Sequence, residues 1–265
     1  MKYKILACDM DGTLLNSEGK LTAVTKAAVR LAEDNGLKVV LSTGRPYQGV
    51  LSVAKACGLT DGAFILYNGA MIVNGGKIAY ALNLPKRVAE TIVDEGHKRD
   101  SVMIMWNDGK LYAEKPSKKV DFYKTVSNVE PIFVGDLKNV CNDTVTKVLW
   151  YDDPVSTPKF CKEMKEILQG KCACYISRAD FLEFVNAQCS KKTALQKVAE
   201  ELGADMSETV AVGDGYNDLP MLEGAGLSVA MGNAAKDLKD KCDLVTGSCD
   251  DDGVAELIYK LLNLG

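Results

Sequence analysis

Short, predominantly apolar runs recur at both ends of the chain, and most close on glycine, hydroxyl or acidic residues. Lys4-Ile5-Leu6-Ala7-Cys8 stops at Asp9, Leu37 to Leu41 stops at Ser42-Thr43-Gly44, and Ala63-Phe64-Ile65-Leu66 comes third. Towards the other end, Thr209-Val210-Ala211-Val212 stops at Gly213-Asp214-Gly215, and Leu227-Ser228-Val229-Ala230 follows. A strand buried on both faces reads as a continuous apolar run, whereas a half-buried strand alternates. Helical spacings lie between these runs. Val24, Ala27, Ala28, Leu31 and Ala32 follow a capping Thr22, and a helix opens after Pro46. Leu195, Val198, Ala199 and Leu202 share a face within 191–202, and Val254, Leu257, Ile258 and Leu261 share one within 251–262. Strands alternating with helices in this way call for a parallel sheet with helices on its faces. The expected fold is α/β, a doubly wound parallel-sheet (Rossmann-like) core.

The middle of the chain follows another grammar. Met103 to Trp106 and Lys110 to Ala113 flank Asn107-Asp108-Gly109, a hairpin signal. Residues 144–151 read as a long strand, 157–168 as a helix, and 172–176 with 181–185 as a second strand pair. This is the pattern of an α+β cap domain inserted into the α/β one. The expected division is 1–82 plus 188–265 for the core and 83–187 for the cap.

Composition removes several function classes. Lys+Arg is 32 against 36 Asp+Glu, a net charge of −4, without the basic excess that phosphate neutralisation demands of a nucleic-acid binder. No stretch approaches the roughly 20 apolar residues of a membrane span, and the first residues run quickly into Asp9 and Asp11 rather than into a signal peptide. Neither nucleic acid nor membrane is an expected partner, and the expected location is the cytoplasm. Nine scattered cysteines are read as reduced thiols. His97 is the single histidine and stands in polar Glu95-Gly96-His97-Lys98-Arg99, which suits a surface helix end. Without it at the site, no histidine-activated nucleophile can be built. Chemistry then falls to carboxylates, lysine and a metal.

Asp9-Met10-Asp11-Gly12-Thr13 leaves the first apolar run, and ligands in open α/β sheets bind at the carboxyl ends of strands. Two carboxylates two residues apart repel unless a cation or proton intervenes, and Mg²⁺ suits oxygen ligands of this kind. The same residues would also serve as an acidic helix-capping turn. Asp214, Asn217 and Asp218 leave a second run and allow both readings again. Thr43-Gly44-Arg45 opens a helix, either as a phosphate cradle or as an ordinary N-cap. Lys191 begins the helix after the insertion, against the usual preference for acidic residues there, as a surface lysine or as the partner of an anion.

In this order, Asp9-x-Asp11-Gly-Thr13, Thr43-Gly44-Arg45, Lys191 and Gly213-Asp214-x-x-Asn217-Asp218 resemble the four motifs of the haloacid-dehalogenase-like hydrolase superfamily. Tyr67-Asn68-Gly69-Ala70, Val229-Ala230-Met231-Gly232-Asn233-Ala234 and Asp252-Gly253-Val254-Ala255 resemble its Cof-type branch of sugar-phosphate phosphatases with an α/β cap. The resemblance implies an Mg²⁺-dependent phosphatase acting on small phosphorylated metabolites, sugar phosphates foremost. Asp9 would attack phosphorus and Asp11 would be the general acid and base. Asp9, Asp214 and the carbonyl of Asp11 would hold Mg²⁺. Thr43, Lys191, Asn217 and the N–H groups of Met10 and Gly44 would hold the phosphoryl oxygens, with Thr13, Arg45 and Asp218 in support. The third motif reads Lys191-Lys192, where the branch has lysine then glycine. The same residues would serve a phosphomutase, or a phosphate-binding regulatory module without turnover. Specificity would lie in the cap, among such residues as Trp106, Tyr112, Tyr123, Arg178 and Asp180.

Overall fold

A computed structural model describes residues 2–264. The chain divides into two compact units, Met1–Ala79 with Ser190–Gly265, and Tyr80–Cys189. The sequence pattern places these divisions at 82/83 and 187/188. The division at 79/80 falls inside the edge strand Lys77–Ala81.

The first unit is built on an eight-stranded sheet. Its order is Leu244–Val245, Leu227–Ala230, Thr209–Gly213, Ile5–Cys8, Lys38–Ser42, Ala63–Leu66, Met71–Asn74 and Lys77–Ala81. Ile5–Cys8 lies between Thr209–Gly213 and Lys38–Ser42, parallel to both, so Cys8 is level with Val212 and Leu41. The two acidic loops therefore leave neighbouring strands at the same end. Ile5, Leu6, Ala7 and Cys8 are all fully buried, which is why their stretch of sequence shows no alternation. Helix Ala23–Asp34 begins with the Thr22 hydroxyl accepting from Thr25 N–H at 3.0 Å, and it buries Ala28, Val29 and Ala32. Gly253–Leu261 buries Val254, Ala255, Leu257 and Ile258.

One part of the sheet departs from the parallel expectation. Ala63–Leu66 pairs antiparallel with Met71–Asn74, and Asn74 leads through Gly75-Gly76 into the edge strand. A glycine pair between two short strands is a hairpin signal that the strand–helix alternation had masked.

The second unit is α+β. Its sheet runs Cys172–Arg178, Phe181–Asn186, Val145–Tyr151, Val102–Asn107, Lys110–Ala113 and Ile132–Phe133, antiparallel except for the last pair. Met103, Met105, Val148, Trp150, Leu182 and Phe184 form one apolar face with Val88, Ile92 and Val93 of helix Lys86–Lys98 and Met164 and Leu168 of helix Ser156–Leu168. Helix Lys118–Ser127, absent from the sequence reading, buries only Val120, Tyr123 and Ser127, too few for a clear periodic signal. Trp106 and Tyr123, offered above as specificity residues, are buried, and the Trp106 indole donates to the Tyr123 hydroxyl at 2.9 Å. Arg178 pairs with Asp180 at 3.2 Å and lies over the Phe122 and Phe181 rings. Among the described residues no helix is long and apolar enough to cross a membrane.

Candidate active site

Every residue singled out in the first unit lies at the carboxyl end of a strand or on the helix entry beside it. Asp9 is buried just beyond Ile5–Cys8, and its N–H donates to the carbonyl of Val212 at 3.0 Å. Lys191, the first residue of helix Lys191–Glu201, has no exposed side-chain surface. Its ammonium donates to Asp9 Oδ1 at 2.5 Å, Asp218 Oδ1 at 2.6 Å and the Ser42 carbonyl at 2.8 Å. A lysine this deep needs charged partners, since an uncompensated ammonium in a protein interior is strongly destabilising. The adjacent Lys192 is exposed.

Asp218 also organises the loop before it, because its Oδ2 accepts from the backbone N–H of Asp214 at 3.2 Å and of Gly215 at 3.0 Å. Thr13, buried, donates its hydroxyl to Asp214 Oδ1 at 2.9 Å, which ties the first acidic loop to the second. Gly12 is required between them: its φ is +78°, and a Cβ there would sit 2.5 Å from an Asp214 oxygen.

Asp9, Asp214 and Asp218 together place carboxylate oxygens within 4.8 Å of one another. Burial, reinforced by Asp218, pushes the Asp9 carboxyl well above the usual carboxylate range, with Lys191 pulling the other way. Asp214 rises to about 6, through burial first and Asp218 second. Burial favours the neutral amine of Lys191, but Asp218 and Asp9 outweigh it and raise its pKa. Three carboxylates thus face one ammonium. The surplus of hard oxygen donors is what a divalent cation such as Mg²⁺ requires, so the chemistry of the donor set fits a metal.

Asp11 stands apart from that cluster. Its side chain is half exposed and grips Arg45 with both oxygens, at 2.5 Å to Nη2 and 2.9 Å to Nε. Its place in the expected metal set was through its carbonyl, and its carboxylate is not part of the acidic group. Met10 is buried between the two aspartates. Thr43 is buried, and its hydroxyl accepts from Arg45 N–H at 3.1 Å, which shapes the turn around Gly44. Asn217 donates its amide to Asn68 Oδ1 at 3.2 Å. Asn68 and Asn233 were given no role above. Asn233 donates to the Gly12 carbonyl at 2.8 Å and accepts from Cys249 N–H at 2.9 Å, so it closes the other flank of the first loop. Both lie in segments quoted for the resemblance, but an asparagine among small residues carries no chemical signal of its own. His97 lies in the last turn of helix Lys86–Lys98 in the second unit, 2.6 Å from Glu114.

The family model of haloacid dehalogenase-like hydrolases matches residues 6–258. The chain belongs to that family. Among relatives of this hydrolase, the 5-amino-6-(5-phospho-D-ribitylamino)uracil phosphatase YcsE of Bacillus subtilis is 32% identical over 258 residues, covering 96% of this chain and 94% of that protein. Among solved structures, a haloacid dehalogenase-like hydrolase from Bacteroides thetaiotaomicron superposes with a TM-score of 0.89 at 29% identity, over 98% of this chain and 99% of that one. A subclass IIB sugar phosphatase of the superfamily gives 0.84 at 25% identity, over 99% and 100%. The enzyme class expected from the sequence, a phosphatase, agrees with what these relatives are named, and the α/β fold of the family agrees with the expected fold class.

Proposed function

We propose that this hydrolase is a Mg²⁺-dependent phosphatase of small phosphorylated metabolites, with sugar phosphates the first class to test, working through an aspartyl-phosphate on Asp9. The observation that carries the reading is the trio of Asp9, Asp214 and Asp218 at the strand ends, with buried Lys191 bonded to buried Asp9 and Asp218. The names of the relatives, two of them phosphatases of phosphorylated small molecules, support the substrate class.

Asp9 and Asp214, with the carbonyl of Asp11, would hold Mg²⁺. When bound, the ion supplies positive charge that favours ionised carboxylates and offsets charge on the phosphoryl oxygens. The chain's own groups account for the rest. A carboxylate needs no activating base, so the want of a histidine here is no obstacle. Asp9 attacks phosphorus as the ester P–O bond breaks, and Asp11, released from its Arg45 pair and carrying a proton, gives that proton to the departing alkoxide. Asp11, now a carboxylate, takes a proton from the water that next attacks phosphorus, which frees phosphate and restores Asp9. Lys191, Thr43, Asn217 and the N–H groups of Met10 and Gly44 hold phosphoryl oxygens in line, because phosphoryl transfer depends chiefly on alignment and charge. Asp218 keeps Lys191 charged and aimed, and Thr13 fixes Asp214. Arg45 holds Asp11 beside the cluster but outside it.

The test is inorganic phosphate release from a panel of sugar phosphates and other small esters, with Mg²⁺ and with chelator. Mg²⁺-dependent release is expected. Isomerised sugar phosphate without free phosphate would overturn hydrolysis in favour of a mutase.

A further inference from the structure

Tyr67, Asn68 and Gly69 leave strand Ala63–Leu66 with three consecutive positive φ angles, 51°, 58° and 99°. Two of the three are not glycine, and a side chain in the left-handed region costs free energy that surrounding contacts must offset. All three residues are buried. The turn is gripped on several sides. Tyr67 N–H donates to the Arg45 carbonyl at 3.2 Å and Asn68 N–H to the Thr43 carbonyl at 3.0 Å. A Cβ at Gly69 would run into the carbonyl of Ser190, beside Lys191, and one at Gly44 would lie 3.3 Å from the Asn68 amide. The Asn68 side chain reaches Asn217. One strained turn thus abuts the Thr43–Arg45 loop, the entry to the Lys191 helix and the Asn217 loop.

Hydrophobic burial does not account for Asn68. It is polar, 1% exposed and in a conformation that glycine would adopt more cheaply. A buried polar side chain beside an active site, hydrogen-bonded to one of its residues, points to function. We infer that Asn68 is a positioning residue, acting through Asn217 to set the phosphate-binding side of the site. The inference rests on the proposed phosphate contact of Asn217.

The test is Asn68→Gly, which keeps the backbone turn and deletes the amide. Steady-state hydrolysis of p-nitrophenyl phosphate should show KM raised about tenfold, with kcat within about threefold, because a phosphate contact acts on ground state and transition state alike. Inhibition by inorganic phosphate should weaken to match, and Tm should stay level or rise. In an Asn217→Ala background, Asn68→Gly should change KM no further. Asn68→Ser, too short to reach Asn217, is the second variant should the glycine variant fold poorly, and the same KM rise is expected. An unchanged KM in both variants, or an equal rise with and without Asn217, overturns the inference while leaving the phosphatase reading intact. A lowered Tm with unaltered KM assigns Asn68 to stability alone and overturns it too. Wild-type protein that neither hydrolyses p-nitrophenyl phosphate nor binds inorganic phosphate overturns the phosphatase reading and this inference with it.

Discussion

Lys191 in the α/β unit and Lys147 in the inserted unit are both fully buried and both paired with carboxylate. Lys147 meets Glu183 at 3.0 Å, and Ser177 donates to the same Glu183 oxygen at 3.0 Å. One ammonium answers one carboxylate, so the charges balance. Lys191 instead meets two carboxylates of a group of three, and the balance is left negative. Burial works against both ammonium groups, and acidic neighbours raise both above the ordinary lysine value. What separates a structural ion pair from a site is therefore the surplus charge around the lysine rather than its depth. A balanced pair is complete in itself, whereas a surplus calls for a ligand.

The comparison can be broken at several points, the largest effect first. Glu183→Gln strands the Lys147 charge and should cost about 3–5 kcal/mol of stability in urea unfolding. Replacing both partners, Lys147→Met with Glu183→Leu, should recover most of that loss. A double variant as unstable as the single one would show that the pair does more than balance charge. Lys191→Met should lower phosphate release by about 10²–10³-fold, the scale for removing one donor to developing charge. Near-wild-type turnover would place Lys191 with Lys147 as a structural cation.

Mg²⁺ at about 100 times its Kd should stabilise the protein by about 2.7 kcal/mol in thermal melts. The shift should vanish in Asp214→Asn and persist in Lys147→Met. A shift of equal size in all three proteins would mean the ion binds elsewhere. The smallest effect concerns Asp152, whose carboxyl burial raises above its ordinary value. A folded-state pKa above the unfolded one gives stability that is present at low pH and lost as pH rises through the folded value. Asp152→Asn should therefore gain on wild type as pH rises from about 3 to 7, and unfolding midpoints across that range would read it. A constant difference would contradict the assigned cause.

Much of this was legible in the chain, for a physical reason. Central parallel strands are buried on both faces, so Ile5–Cys8 and Thr209–Gly213 appear as apolar runs, and the loops that end them display their acidic residues in order. The antiparallel edge was hidden because Gly75-Gly76 is a two-residue signal beside a stronger pattern. Lys147 was invisible: a lysine beside a threonine near the start of a strand reads as solvent-facing, and Glu183 lies 36 positions away. The grip of Arg45 on Asp11, across 34 positions, and the strained turn at Asn68 are likewise products of tertiary structure. The types of residue at the site and the support of Lys191 by Asp218 could be read from sequence, whereas the Arg45 and Asn68 contacts could not.

The central claim is that Asp9 becomes phosphorylated. A single turnover with ³²P-labelled ester and Mg²⁺, quenched in acid, tests it most directly. The account predicts label on the precipitated wild-type protein, released by hydroxylamine as an acyl phosphate must be, and none on Asp9→Asn. Equal labelling of the Asp9→Asn protein, or turnover by that protein at the wild-type rate, would contradict it.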